Sequence, residues 1–100
     1  MKLIFDGDTV RVSGIKELGA ANANQVRDQV KSALAEQRRN IEFDLTETAF
    51  VDSCGLGALI AIYKTACSRQ GTVRLLHPCP PVQQILELTR MHRIFEIINP

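Results

Sequence analysis

The spacing of apolar and polar positions changes several times along the chain, and each change marks an element. Leu3 to Phe5 and Thr9 to Ser13 are short β-rich runs separated by Asp6-Gly7-Asp8. An Asp-Gly step between two such runs predicts a hairpin. In the second run Val10 and Val12 alternate with Thr9, Arg11 and Ser13, giving one buried and one wet face, and Gly14 ends it. From about Ala20 the spacing becomes helical. Val26, Val30, Ala33 and Leu34 share a face, with Arg27, Asp28, Lys31 and Glu36 on the other side. Either Asn22 or Asn24 opens this helix, and its end is expected near Arg38 to Asn40, where basic residues suit the negative end of the dipole.

Ile41, Phe43 and Leu45 then alternate with Glu42 and Asp44, which predicts a strand. After a short connection, Leu56, Leu59, Ile60, Tyr63 and Cys67 recur at helical spacing to about Gln70, and Gly71 is the expected terminator. Thr72 to Leu76 is a further strand. His77-Pro78-Cys79-Pro80-Pro81 interrupts regular structure, with Pro81 suited to a first helical turn. Val82, Ile85, Leu86 and Leu88-Thr89 predict a short amphipathic helix, and Ile94 to Ile98 a last strand or an apolar tail over the core. The order is β-β-α-β-α-β-α-β. Strands joined through helices run parallel, while the opening hairpin is antiparallel. The expectation is one α/β domain over residues 1–100, with a mixed sheet of four or five strands packed with three or four helices.

Composition narrows the function classes. The formal net charge is +1, with 45% hydrophobic and 23% charged residues. Such a balance lacks the electrostatic footprint of a nucleic-acid or anionic-membrane binder. The pair Arg38-Arg39 is too short to alter this and reads as a solvated helix end. Neither a signal peptide nor an apolar run near the ~20 residues of a membrane span is found, so a cytoplasmic protein without membrane insertion is expected. Cys54, Cys67 and Cys79 form no C-x-x-C pair, and neither His77 nor His92 completes a zinc pattern. They read as reduced, small, semi-buried residues, and neither a metal nor a cofactor is expected.

The most informative stretch is Phe50-Val51-Asp52-Ser53-Cys54-Gly55-Leu56-Gly57-Ala58-Leu59. A helix begins at Asp52 or Ser53, both good N-caps. Gly55 and Gly57 would each cost about 1 kcal/mol inside a helix, so their presence needs a reason. One reading is a capped start with tight turn geometry. A phosphate-binding loop is a second, but neither G-x-x-x-x-G-K-[ST] nor G-x-G-x-x-G is present. A nucleophile elbow is a third, but G-x-S-x-G is missing and no His-carboxylate pair accompanies the serine.

Ile41-Glu42-Phe43-Asp44-Leu45 followed by Phe50 to Gly57 resembles the signature of STAS domains, in which an apolar strand ending in Asp-Leu precedes an Asp-Ser-Ser/Ala-Gly-Leu helix start. The resemblance extends over nearly the whole chain. Ser13-Gly14 with Glu17-Leu18 is similar to the family's Gly-Glu-Leu, and Thr72–Leu76, Pro80-Pro81 and Leu88-Thr89 with Ile94-Phe95 match its later elements. It departs at Cys54, where a second serine is common, and at Gly19, where many members carry an acid. Ending at Pro100, the chain is expected to have a short last helix or none.

In the antagonist branch of the family the serine after the Asp is phosphorylated, which here is Ser53. The resemblance implies a bacterial regulator of transcription that works by partner switching. It binds an anti-sigma factor that is also a serine kinase, is inactivated by phosphorylation, and is reset by a metal-dependent serine phosphatase. Asp52, Ser53, Cys54, Gly55, Leu56 and Gly57 are the expected partner-binding residues, with Leu56 open between contact and core. Leu59, Ile60 and Tyr63 are expected in the core. The chain is then not itself an enzyme, and a monomer that pairs with its partner is the expected state. The alternatives are a non-switching STAS subunit of a lipid or anion transporter and, more remotely, a small enzyme or nucleotide-binding domain.

Overall fold

The structure, a computed structural model, describes residues 1–34 and 38–99. β1 (Lys2–Asp6) and β2 (Thr9–Ser13) form the expected hairpin. Gly7 supplies the positive φ of 61° at the first central position of its two-residue turn, where a type II′ turn needs glycine. A two-residue strand β3 (Glu17–Leu18) follows, then α1 (Ala23–Ala33), β4 (Asn40–Asp44), a second two-residue strand β5 (Phe50–Val51) and α2 (Ser53–Ser68). β6 (Val73–Leu76), α3 (Pro80–Leu88), a 3-10 turn over Met91–Arg93 and β7 (Glu96–Ile98) complete the domain. Pro80 and Pro81 occupy the first turn of α3, where a missing N–H is harmless.

The main sheet has the order β1-β2-β4-β6-β7, with only β1 antiparallel to its neighbour. The sheet therefore grows in one direction from β2 to β7. Right-handed crossovers then place every helix on the same face. That face carries Val10, Val12, Ile41, Phe43, Val73 and Leu75, all buried in the single core. The opposite face stays open to solvent and is built from charge. Arg11 and Arg74 flank Glu42 at 2.9 and 3.7 Å, and Arg74 also meets Glu96 at 3.4 Å. These paired residues lie in register across β2, β4, β6 and β7. Exposed pairs of this kind contribute little individually, but they keep a wet sheet face polar.

Several sequence expectations need correction. Helix α1 ends at Ala33, short of Arg38 to Asn40, and Glu36 lies outside the described residues. Arg38 and Arg39 instead lead into β4, with the Arg38 guanidinium 4.4 Å from the centre of the Phe5 ring and Arg39 3.3 Å from Asp8. The inward face of α2 is Gly55, Leu56, Ala58, Leu59, Ile62 and Ala66, while Ile60 and Tyr63 are half-buried and Cys67 is exposed. Cys54 is exposed as well, so only Cys79 fits the semi-buried description. Leu88, expected on the apolar face of α3, points to solvent. At the end of α2 the left-handed position is Gln70 (φ 61°) and not Gly71. Gly71 donates its N–H to the Ala66 carbonyl, and its own Cα packs against the Arg39 carbonyl.

Candidate functional site

The β3–β5 pair, absent from the sequence expectations, is the floor of the site. Glu17 pairs with Phe50 and Leu18 with Val51 in a small parallel sheet. Two flanking bonds fasten it: the Ala49 N–H donates to the Lys16 carbonyl at 2.9 Å, and the buried Thr48 hydroxyl donates to the Ile15 carbonyl. The chain then leaves β5 and enters α2 through Asp52 in an extended conformation.

Asp52 is the N-cap and does two jobs. One carboxylate oxygen accepts the Gly55 N–H at 3.0 Å, satisfying one of the orphan donors of the first turn. The other accepts the Ala20 N–H at 3.1 Å, which ties the helix start to the turn before α1. That turn is itself locked by Asn22. Its amide donates to the Glu17 carbonyl at 2.7 Å and its oxygen accepts the Gly19 N–H at 3.0 Å. Asn22 thus stands at the N-cap of α1 but turns its side chain backwards, away from the first turn of the helix. Gly19 leaves room for this arrangement, because a Cβ there would lie 2.8 Å from an Asp52 oxygen.

The two glycines of the motif have different roles. Gly55 is buried, and a Cβ on it would stand 2.1 Å from the Leu18 carbonyl oxygen. Its close approach is to the chain's own β3. Gly57 is exposed with open space around it. Leu56 faces the core. Of the six residues expected at a partner surface, Ser53, Cys54 and Gly57 are therefore outward and accessible. Asp52 is half-buried and engaged, and Gly55 and Leu56 point inward. Phe50, three residues before Ser53, adds an exposed apolar side chain that periodicity did not single out. Its only sequence signal is an aromatic residue directly ahead of the cap.

Electrostatically the site is set by backbone donors. The Gly55 N–H holds the Asp52 carboxyl below its ordinary value of 3.8, with the N–H groups of Ala20 and Cys54 acting in the same direction and burial opposing them. A depressed folded-state value means that the carboxylate's contribution is complete above 3.8 and is lost as pH falls through the lower folded value. Asp52→Asn keeps an acceptor for the Gly55 N–H but turns an amide donor towards the Ala20 N–H, and is therefore expected to lower Tm at pH 7 by several degrees. The gap to wild type should close as the pH is taken below 3.8. Thermal scans of both proteins across that range check this, and a gap independent of pH would contradict it. Among the described residues no group of three or more His, Cys, Asp or Glu side chains is placed to hold a metal ion. No helix among them is long and apolar enough to cross a membrane.

This geometry can be set beside known proteins. An anti-sigma F factor antagonist of Paenibacillus polymyxa is 33% identical over 90% of this chain and 76% of its own length. The solved structure of the Thermotoga maritima protein TM1081 covers 99% of this chain and 86% of its own, at 26% identity and a TM-score of 0.88. The Bacillus cell fate determinant SpoIIAA, solved in its phosphorylated form, shares the fold at 19% identity and a TM-score of 0.76, over 98% of this chain and 90% of its own. The family model of the STAS domain matches residues 4–100, and the chain belongs to that family.

Proposed function

We propose that this chain is an anti-sigma-factor antagonist that switches partners through phosphorylation of Ser53. The observation that carries this reading is the placement of the Ser53 hydroxyl. It is exposed at the first position of α2, directly after a cap anchored to two separate elements. A kinase needs an accessible acceptor, and a binding partner needs a surface that keeps its shape. Both are present at one helix end. In this reading Ser53, Cys54, Gly57 and Phe50 form the contact surface, and Asp52 and Gly55 hold it in place without facing the partner.

The partner is an anti-sigma factor with serine kinase activity, and a metal-dependent serine phosphatase resets the cycle. The chain contributes a hydroxyl and a surface, and catalysis belongs to the partners. Intact-mass analysis of wild-type and Ser53→Ala protein recovered from the native host tests the proposal. One added phosphate on wild type, absent from the variant, is the expected result. Its absence in both growing and stressed cells would overturn the switch and favour a non-switching transporter subunit.

A further inference from the structure

The edge strand β1 carries a pattern that the proposed switch does not use. Among the described residues no strand pairs with its outer edge. Ile4 and Phe5 are 45% and 49% exposed, unusual for large apolar side chains on an edge. In a hairpin closed by two residues, Asp6 and Thr9 exchange hydrogen bonds, so Ile4 and Lys2 also bond inward. The N–H and C=O groups of Leu3 and Phe5 then point outward, unpaired. The helix-side surface beside them is a shallow groove lined by Leu3, Phe5, Asp28, Gln29, Ser32 and Ala33.

We infer that β1 pairs with the β1 of a second copy of this chain, antiparallel and centred on Ile4. The sequence Lys2-Leu3-Ile4-Phe5-Asp6 is self-complementary in that register. Lys2 lies opposite the partner's Asp6, Leu3 opposite the partner's Phe5, and Ile4 opposite the partner's Ile4. Each Leu3–Phe5 pair exchanges two backbone bonds using the outward groups, and Ile4 falls at the closer, non-hydrogen-bonded position. A slip of one residue mismatches the outward donors and acceptors. A slip of two, in either direction, sets Lys2 or Asp6 against Ile4. Only the Ile4-centred register satisfies the backbone, both charges and the apolar side chains together. The two-fold axis then stands perpendicular to the sheet, joins the two five-stranded sheets edge to edge, and brings each Phe5 over the groove of the other copy.

This surface contains none of Ser53, Cys54 or Gly57, so it can fail while the proposed switch stands, and the reverse. Sedimentation equilibrium of the chain is expected to give a concentration-dependent dimer. Ile4→Lys should weaken it at least about tenfold by placing like charges across the axis, with the Tm of the dilute, monomeric protein unchanged because the side chain is exposed there. Lys2→Asp and Asp6→Lys should each weaken it, and the double swap should restore an affinity within about threefold of wild type. A chain that stays monomeric at about 1 mM overturns the inference. So does a dimer indifferent to Ile4→Lys, or a double swap no better than its single components.

Discussion

Gly55→Ala is expected to destabilise the domain by about 3 kcal/mol, whereas Gly57→Ala, two residues on in the same helical turn, is expected to stabilise it by about 0.5–1 kcal/mol. The opposite signs follow from what each new methyl would meet. At position 55 it would stand 2.1 Å from the Leu18 carbonyl oxygen, which is backbone held in the β3–β5 pair and cannot swing aside. Relief requires α2 to lift off β3, and that would stretch the Asp52 bonds to Gly55 and Ala20. At position 57 nothing lies within 4 Å, so only the gain in helix propensity remains. For a domain of this size the first change corresponds to a Tm drop of roughly 12–24 °C and the second to a rise of a few degrees. Calorimetry of the two variants checks both. A Gly55→Ala protein that melts with wild type would refute the close packing of α2 on β3. The Gly57 methyl would still lie on the proposed contact surface, so this variant should be more stable yet bind its partner less well.

The same pair of glycines illustrates what could be read without coordinates. Their presence in a helix start demanded a reason, and for Gly55 the structure supplies one in its approach to the chain's own β3 and not to a partner. What the sequence did not reveal was the identity of the approaching surface, because β3 and β5 are two residues each and too short to show any period. Their pairing joins segments more than thirty positions apart (Glu17 with Phe50), which no local signal encodes. The inward face of α2 was misjudged for a related reason. It is lined partly by Gly55, Ala58 and Ala66, small residues that let the helix sit close to its neighbours but carry little hydrophobic contrast. Larger apolar side chains at Ile60 and Tyr63 drew the expected face partly round towards solvent.

By contrast, elements that bury one clean face were legible. Val10, Val12, Ile41 and Phe43 alternate with polar residues, and their strands are in register with both faces as expected. The N-cap was legible to within one residue, Asp52 or Ser53, since both side chains suit the start of an apolar helical run, and the structure assigns it to Asp52. The second bond from Asp52 to Ala20 was not, because it depends on the turn that Asn22 shapes. The fold thus followed from periodicity, while the rigidity of the site came from small residues and backbone bonds that periodicity does not register.

In the proposed switch, phosphorylation of Ser53 is expected to leave Tm within a few degrees of the unmodified protein while weakening binding to the proposed anti-sigma partner about a hundredfold. The fold is insulated because the modified hydroxyl is exposed and contributes to neither the cap nor the core. Two local effects oppose each other. A phosphate adds about −1.5 to −2 charges beside the N-terminus of α2, where the helix dipole favours it by roughly 0.3–1 kcal/mol. The Asp52 carboxylate next to it repels that charge, and it cannot turn away without giving up its bonds to Gly55 and Ala20. The net effect on folding is small. At an interface the balance differs, because the docked partner strips water from the dianion. A hundredfold loss of affinity is about 2.7 kcal/mol, well within the penalty for burying an uncompensated charge. Melting curves and titration calorimetry of the phosphorylated and unmodified proteins, against the purified kinase partner, separate the two quantities. A melted α2 in the phosphorylated form would contradict the prediction, since the switch would then act through the fold. Unchanged affinity with an intact fold would contradict it too, by removing Ser53 from the contact surface.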